Sequence, residues 1–320
     1  MSYQIPIIFD TDLGVDDAYA LLLAAGSPTI RILGITTVFG NNSVENCTDN
    51  VQRICELLNL NVPVAKGASK GLFRKPVDYS DPNQLFVHGE DGLGGKRYML
   101  KESRKPLDEM DAVDMMARLI RRCEDKVVLV PVGPLTNIAT FLMTYPELKD
   151  RIDGIALMGG AAYGGNALLV GEANIVADPE AAQIVFQSGC RVVMCGLDAT
   201  NQAYVTKDDL ELFKLVGGGI ADFYYEMIRH YSDIISKLSP NAPGPALHDS
   251  VPVAWLIRPE VLQLQPAFVQ VDLDGRYTRT CTATDFLLRD GKKANAMVAT
   301  GINRESFIEL HVNAFKRLNN

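Results

Sequence analysis

Apolar positions along this chain fall into two patterns. Short continuous apolar runs, bounded by glycine or polar residues, read as buried strands: Ile5 to Phe9, Arg31 to Phe39, Val62 to Ala65, Lys126 to Val132, Ile155 to Met158 and Arg191 to Cys195. Between them, apolar residues recur at helical spacing. Ala18 to Ala25 is an alanine- and leucine-rich run. Val44, Cys47, Val51, Ile54, Cys55 and Leu58 follow Ser43 as a cap, and Val113, Met116, Ala117 and Ile120 share one face of a helix over 111–124. Pro134 suits the first turn of a helix after the fourth strand. Asp178-Pro179-Glu180 opens one that runs to Ser188, and Thr206 caps one over 207–216. Further helices cover 221–238, 251–257 and 305–318. This alternation predicts an α/β fold, an open and mostly parallel sheet with helices on both faces. Ala267 to Asp272, Tyr277 to Thr284 and Ala294 to Thr300 follow one another near the end and predict an antiparallel edge region.

Two stretches break the pattern. Residues 66–97 are rich in Gly, Pro and Asp and lack periodicity, the mark of a functional loop or a disordered one. The glycines around His88-Gly89-Glu90-Asp91-Gly92-Leu93-Gly94-Gly95 suggest a mobile active-site lid. Gly159 to Gly171 is a second glycine-rich loop. It lacks the Lys-Ser/Thr pair of a phosphate loop, so its Asn166 and the following Glu172-Ala173-Asn174 read as partners for neutral hydroxyls. With uniform composition and no linker, residues 1–320 read as a single domain.

Composition narrows the function. A net charge of −8 argues against nucleic acid as a partner. No apolar run approaches the roughly 20 residues of a membrane span, so no membrane role is expected. Met1 to Gln4 does not read as a signal peptide. The six cysteines have no metal-like spacing and read as reduced core thiols, which predicts a cytoplasmic protein.

The chemistry concentrates in Asp10-Thr11-Asp12-Leu13-Gly14-Val15-Asp16-Asp17, a turn between the first strand and the first helix. One acidic residue there would be ordinary helix capping. Four carboxylates in eight residues repel one another unless a cation sits among them, and a hard divalent ion is the natural one. The Val132 carbonyl lies at the same end of the sheet, and Asp249, beside His248 at the mouth of an apolar helix, offers a further oxygen from a separate segment. A water oriented by such an ion, a carboxylate to take its proton and a histidine to assist a leaving group fit hydrolysis at a sugar carbon.

The motifs DTDLGVDDA (10–18), ITTVFGN (35–41), HGEDG (88–92), VPVGPLTN (130–137), LMGG (157–160), Asn166-x5-Glu172-x-Asn174 and LHD (247–249) fall in the order of one family. Over nearly its full length the chain resembles the inosine-uridine preferring nucleoside hydrolases. The stretches MCGLDATNQA (194–203) and HDSVPVAWLIRP (248–259) resemble the bacterial nonspecific ribonucleoside hydrolases most closely. That resemblance implies one Ca2+, held by Asp12, Asp17, the Val132 main-chain oxygen and Asp249, with Asp12 also the general base. It implies ribose contacts from Asp16, Asn41 and Asn174, and 5′-hydroxyl contacts from Asn166 and Glu172. His248 would assist the departing base, and His88 would lie near the base. The implied reaction splits purine and pyrimidine ribonucleosides, such as inosine and uridine, into base and ribose for salvage, in a homodimer or homotetramer. Many relatives carry an aromatic where this chain has Ala173. Alternatives are a pyrimidine-preferring member, a binding protein without turnover, and an Asp-x-Asp phosphatase. Gly14 stands where the last would have Thr or Val.

Overall fold

The computed structural model describes residues 4–81, 85, 87–103, 105–289 and 291–319. Residues 1–3 of the start read as lacking a signal, and 82–84 and 86 of the expected lid, lie outside the described residues. The chain runs β1 (Ile5–Thr11), α1 (Val15–Ala25), β2 (Ile30–Thr37), α2 (Val44–Leu57), β3 (Val64–Lys66), α3 (Ala112–Arg122), β4 (Val127–Pro131) and α4 (Thr136–Thr144). It continues through β5 (Ile152–Met158), α5 (Ala173–Ala177), α6 (Pro179–Phe186), β6 (Val192–Cys195), α7 (Leu197–Thr200), α8 (Lys207–Leu215), α9 (Gly218–Leu238) and α10 (Ser250–Ile257). It closes with β7 (Leu262–Val271), β8 (Thr282–Asp285), β9 (Ala296–Ile302) and α11 (Arg304–Leu318).

These strands form one nine-stranded sheet in the order β3-β2-β1-β4-β5-β6-β9-β7-β8. Pairing is parallel from β3 to β9 and antiparallel for β7 with β9 and with β8, so the expected α/β sheet with an antiparallel edge is present. The winding reverses between β1 and β4, and in such sheets ligands bind in the crevice beyond the strand ends at that reversal. Asp12 and Val132 stand one residue past those two strands.

Helix α1 is buried from Val15 to Ala24, which explains why it is apolar nearly all round. It packs against α9, α10 and α11. Two tyrosines lock it to α9: Tyr19 Oη donates to the Tyr224 carbonyl (3.0 Å) and Tyr224 Oη to the Ala18 carbonyl (2.9 Å). The acidic turn is therefore anchored on a helix that cannot shift without unpairing buried hydroxyls.

The expected strand over Tyr277 to Thr284 is a correction: only Thr282–Asp285 pairs. Asp272 gathers the Gly275 and Asp274 amides and the Thr278 hydroxyl, folding the chain into a turn before β8. Helices α5 and α7 were not among the expected elements, each being too short to show a period.

Candidate active site

The acidic turn begins where β1 ends. Asp17 folds back on it, accepting from the Gly14 amide (2.8 Å) and the Thr11 hydroxyl. It thus caps the helix on which it sits. Gly14 is required by crowding: a Cβ there would stand 2.6 Å from His88 Nδ1 and 2.8 Å from Asn41 Nδ2.

Carboxylate oxygens of Asp16, Asp17 and Asp249 lie within 4.8 Å of one another, all buried. Asp12 joins them through Asn41, whose amide N–H donates to Asp12 Oδ2 (2.7 Å) and whose side chain donates to Asp17 Oδ2 (3.0 Å). Asp12 Oδ1 and Asp16 Oδ1 are buried with no hydrogen-bond partner. Burial first, and then the neighbouring Asp17 charge, push Asp12 well above the usual carboxylate range and Asp16 up to about 7. Burial and the charges of Asp16, Asp17 and Asp12 raise Asp249 likewise. Among the described residues no lysine or arginine pairs with any of the four. Orphaned buried oxygens and repelling carboxylates fit a hard divalent cation, which would satisfy both. The tightest trio includes Asp16, which the family resemblance assigns to ribose, while Asp12 stands beside it.

Asp10 lies beneath the cluster. Its Oδ1 accepts from the Thr36 hydroxyl (2.6 Å) and the Asn137 side chain (2.7 Å), tying β1 to β2 and α4. The Val132 carbonyl accepts from Asn174 Nδ2 (2.9 Å), which also donates to the Met158 carbonyl (3.2 Å). Asn174 thus sits across the ends of β4 and β5.

His88 is nearly buried. Its Nδ1 accepts from the Val15 amide (3.1 Å), lies 3.9 Å from Asp16 Oδ1, and its ring stacks on Tyr231. Burial, then the positive charges that His248 and His230 would carry, lower His88 to about 4. His248 is half-buried, its Nδ1 2.8 Å from the Thr200 hydroxyl. Burial lowers it to about 4, so both rings are neutral at pH 7.

Asn166 and Glu172 are placed differently. Glu172 is buried and caps α5, accepting from the Gly160 (2.9 Å), Asn174 (3.0 Å) and Ile175 (3.3 Å) amides. Asn166 is exposed and accepts from the Ala173 amide (3.0 Å). These bonds link both to α5; none links them to the carboxylate cluster. Thr200 and Asn137 escaped the sequence reading because their partners are distant in the chain. Tyr231 carried a weak signal, an aromatic at helical spacing, which core packing also produces.

A buried acidic centre whose carboxylates fit a metal thus lies at the reversal of a doubly wound sheet, with His88 against Asp16. The chain belongs to the inosine-uridine preferring nucleoside hydrolase family, whose model matches residues 7–309, and it is an enzyme of that class. It is 38% identical over 313 residues to the pyrimidine-specific ribonucleoside hydrolase RihA of Escherichia coli O1:K1, covering 98% of both chains. The RihA of Shewanella oneidensis is 40% identical over 310 residues, 97% of this chain and 95% of that one. Among solved structures, the purine-preferring ribonucleoside hydrolase from Gardnerella vaginalis superposes with a TM-score of 0.92 at 33% identity, covering 98% of this chain and 99% of that one.

Proposed function

We propose that this enzyme hydrolyses the N-glycosidic bond of ribonucleosides with Ca2+ as its metal, and that it prefers pyrimidine ribonucleosides such as uridine. The observation that carries the hydrolytic reading is the buried carboxylate cluster with unpartnered oxygens on Asp12 and Asp16. Asp12, Asp17, Asp249 and the Val132 carbonyl would hold the ion, and a divalent ion there supplies an oriented and more acidic water.

Asp12 has the right atoms for a base. Oδ2 is held by the Asn41 amide while Oδ1 is unpartnered, so Oδ1 takes the proton of the attacking water. Asp16, Asn41 and Asn174 hold the ribose hydroxyls. Their oxygens, with the other carboxylates, stabilise the positive charge that develops on the sugar as the bond breaks. Asn166 and Glu172 are assigned to the 5′-hydroxyl through lone pairs that their amide bonds leave free. His248 serves the departing base as a neutral donor. If the Thr200 hydroxyl donates to Nδ1, the ring proton sits on Nε2. His88 lines the base side with Tyr231.

The pyrimidine preference draws on the relatives named pyrimidine-specific, at 38% and 40% identity. A kinetic panel over uridine, cytidine, inosine, adenosine and guanosine tests it. Uridine and cytidine should exceed the purines in kcat/KM by about tenfold or more, a difference of about 1.4 kcal/mol. Purines cleaved faster would overturn the preference, and no free base from any nucleoside would overturn the activity.

A further inference from the structure

We infer that Asp91 is a positioning residue for His88 and that the Val15 amide fixes the tautomer in which His88 works. The kinetic part of this inference rests on the hydrolase reading above; the tautomer part does not.

Residues 87–96, which carry His88, form no helix or strand, yet they are tightly organised. The Asp91 carboxylate collects three backbone amides: Leu93 and Gly95 donate to Oδ1 (2.8 Å each) and Arg97 to Oδ2 (3.0 Å). The Gly94 amide donates to the His88 carbonyl (2.9 Å), closing this turn on the histidine itself. Leu93 is fully buried beneath it. From α2, the Asn50 side chain donates to the Asp91 carbonyl (2.8 Å), and Asn42, just before α2, donates to the Glu90 carbonyl (3.0 Å). Gly92 and Gly94 take left-handed φ of +75° and +63°, and a Cβ on Gly94 would stand 2.7 Å from the Met227 carbonyl. These glycines permit a compact turn wound around one carboxylate.

The turn delivers the imidazole to a defined place. Val15 is the first residue of α1, so its N–H is one of the amides a helix leaves unpaired, and it donates to His88 Nδ1. A neutral imidazole that accepts at Nδ1 carries its proton on Nε2. With Nδ1 protonated instead, the ring would have to turn from Val15 toward Asp16 Oδ1, 3.9 Å away. Stacking on Tyr231, 5.6 Å between centroids at 27°, opposes that rotation. His88 is thus held as an Nε2–H donor beside the acidic cluster. Asp91 holds the backbone from which it projects.

Two measurements test this. Nitrogen-15 histidine spectra of the wild type should show His88 with a protonated Nε2 and a bare Nδ1, and Asp91→Ala should shift it toward averaged tautomers. A double-mutant cycle on uridine cleavage should show Asp91→Ala lowering kcat/KM about tenfold in the wild type and less than about twofold when His88 is already alanine. The cation-induced rise in Tm should be unchanged. If Asp91→Ala fails to fold, Asp91→Asn, which keeps an oxygen for Leu93 and Gly95, should give the same changes at smaller size. An Nδ1–H ring in the wild type, or an equal loss with and without His88, overturns the inference. Should no nucleoside be cleaved at all, the spectra still decide the tautomer.

Discussion

Replacing Gly133 by alanine puts a methyl group where the Asp12 carboxylate lies. The new Cβ would stand 2.5 Å from Asp12 Oδ1 and 3.0 Å from Val38 Cγ1, against an ordinary contact of 3.4 Å, so Oδ1 must retreat by about 0.9 Å. It cannot slide freely, because the Asn41 amide holds Oδ2 at 2.7 Å and the carboxylate is buried. Overpacking of this kind costs about 1–3 kcal/mol of stability. A reacting group misplaced by about 1 Å costs about 100-fold in rate. Gly133→Ala should therefore cut kcat/KM on uridine about 100-fold while lowering Tm by only a few degrees. Gly219→Ala is the control: it lies in the first turn of α9 with nothing within 4 Å of its would-be Cβ, so activity should be unchanged. Thermal melts and initial rates at saturating Ca2+ decide the matter. A Gly133→Ala enzyme within about threefold of wild type would refute the role given to Asp12 Oδ1.

Three further outcomes are expected. Asp12→Asn should abolish turnover with the fold intact by circular dichroism; wild-type rates would remove Asp12 as the base. His248→Ala should damage inosine and uridine cleavage far more than that of nitrophenyl riboside, whose leaving group needs no proton, and equal losses on all would remove His248 from leaving-group assistance. Because burial and mutual repulsion hold Asp16 up to about 7 and raise Asp12 and Asp249, the cation-free folded state binds more protons than the unfolded chain between about pH 4 and 7. Stability without metal is thus lost as pH rises through that window, and the gain in Tm from saturating Ca2+ should be larger at pH 8 than at pH 5; an equal gain at both would contradict this.

Much of the fold was legible because its parts are local. The runs that became β1, β4 and β6 are apolar except at their ends, as strands covered on both faces are. Ser43, Asp111, Asp178 and Thr206 cap the helices they precede. What escaped was either too short or too distant. Helices α5 and α7 span five and four residues, less than two turns, so no period could show. The strand expected at Tyr277 was displaced by the competition of the Asp272 side chain for backbone amides. In the site, four carboxylates crowded on one turn declared themselves. The bond from Asn137 to Asp10 spans 127 residues and that from His248 to Thr200 spans 48, and no local pattern announces either. That Glu172 also caps a helix went unseen, because the helix was too short to show in the sequence.

A calcium titration of chelator-treated protein, with free uracil released from uridine as the signal, tests the central claim most directly. Activity should be absent without the ion and should rise to a plateau at one Ca2+ per chain. Full-rate cleavage in the chelated protein would contradict the idea that buried aspartates gather around one cation to drive the reaction.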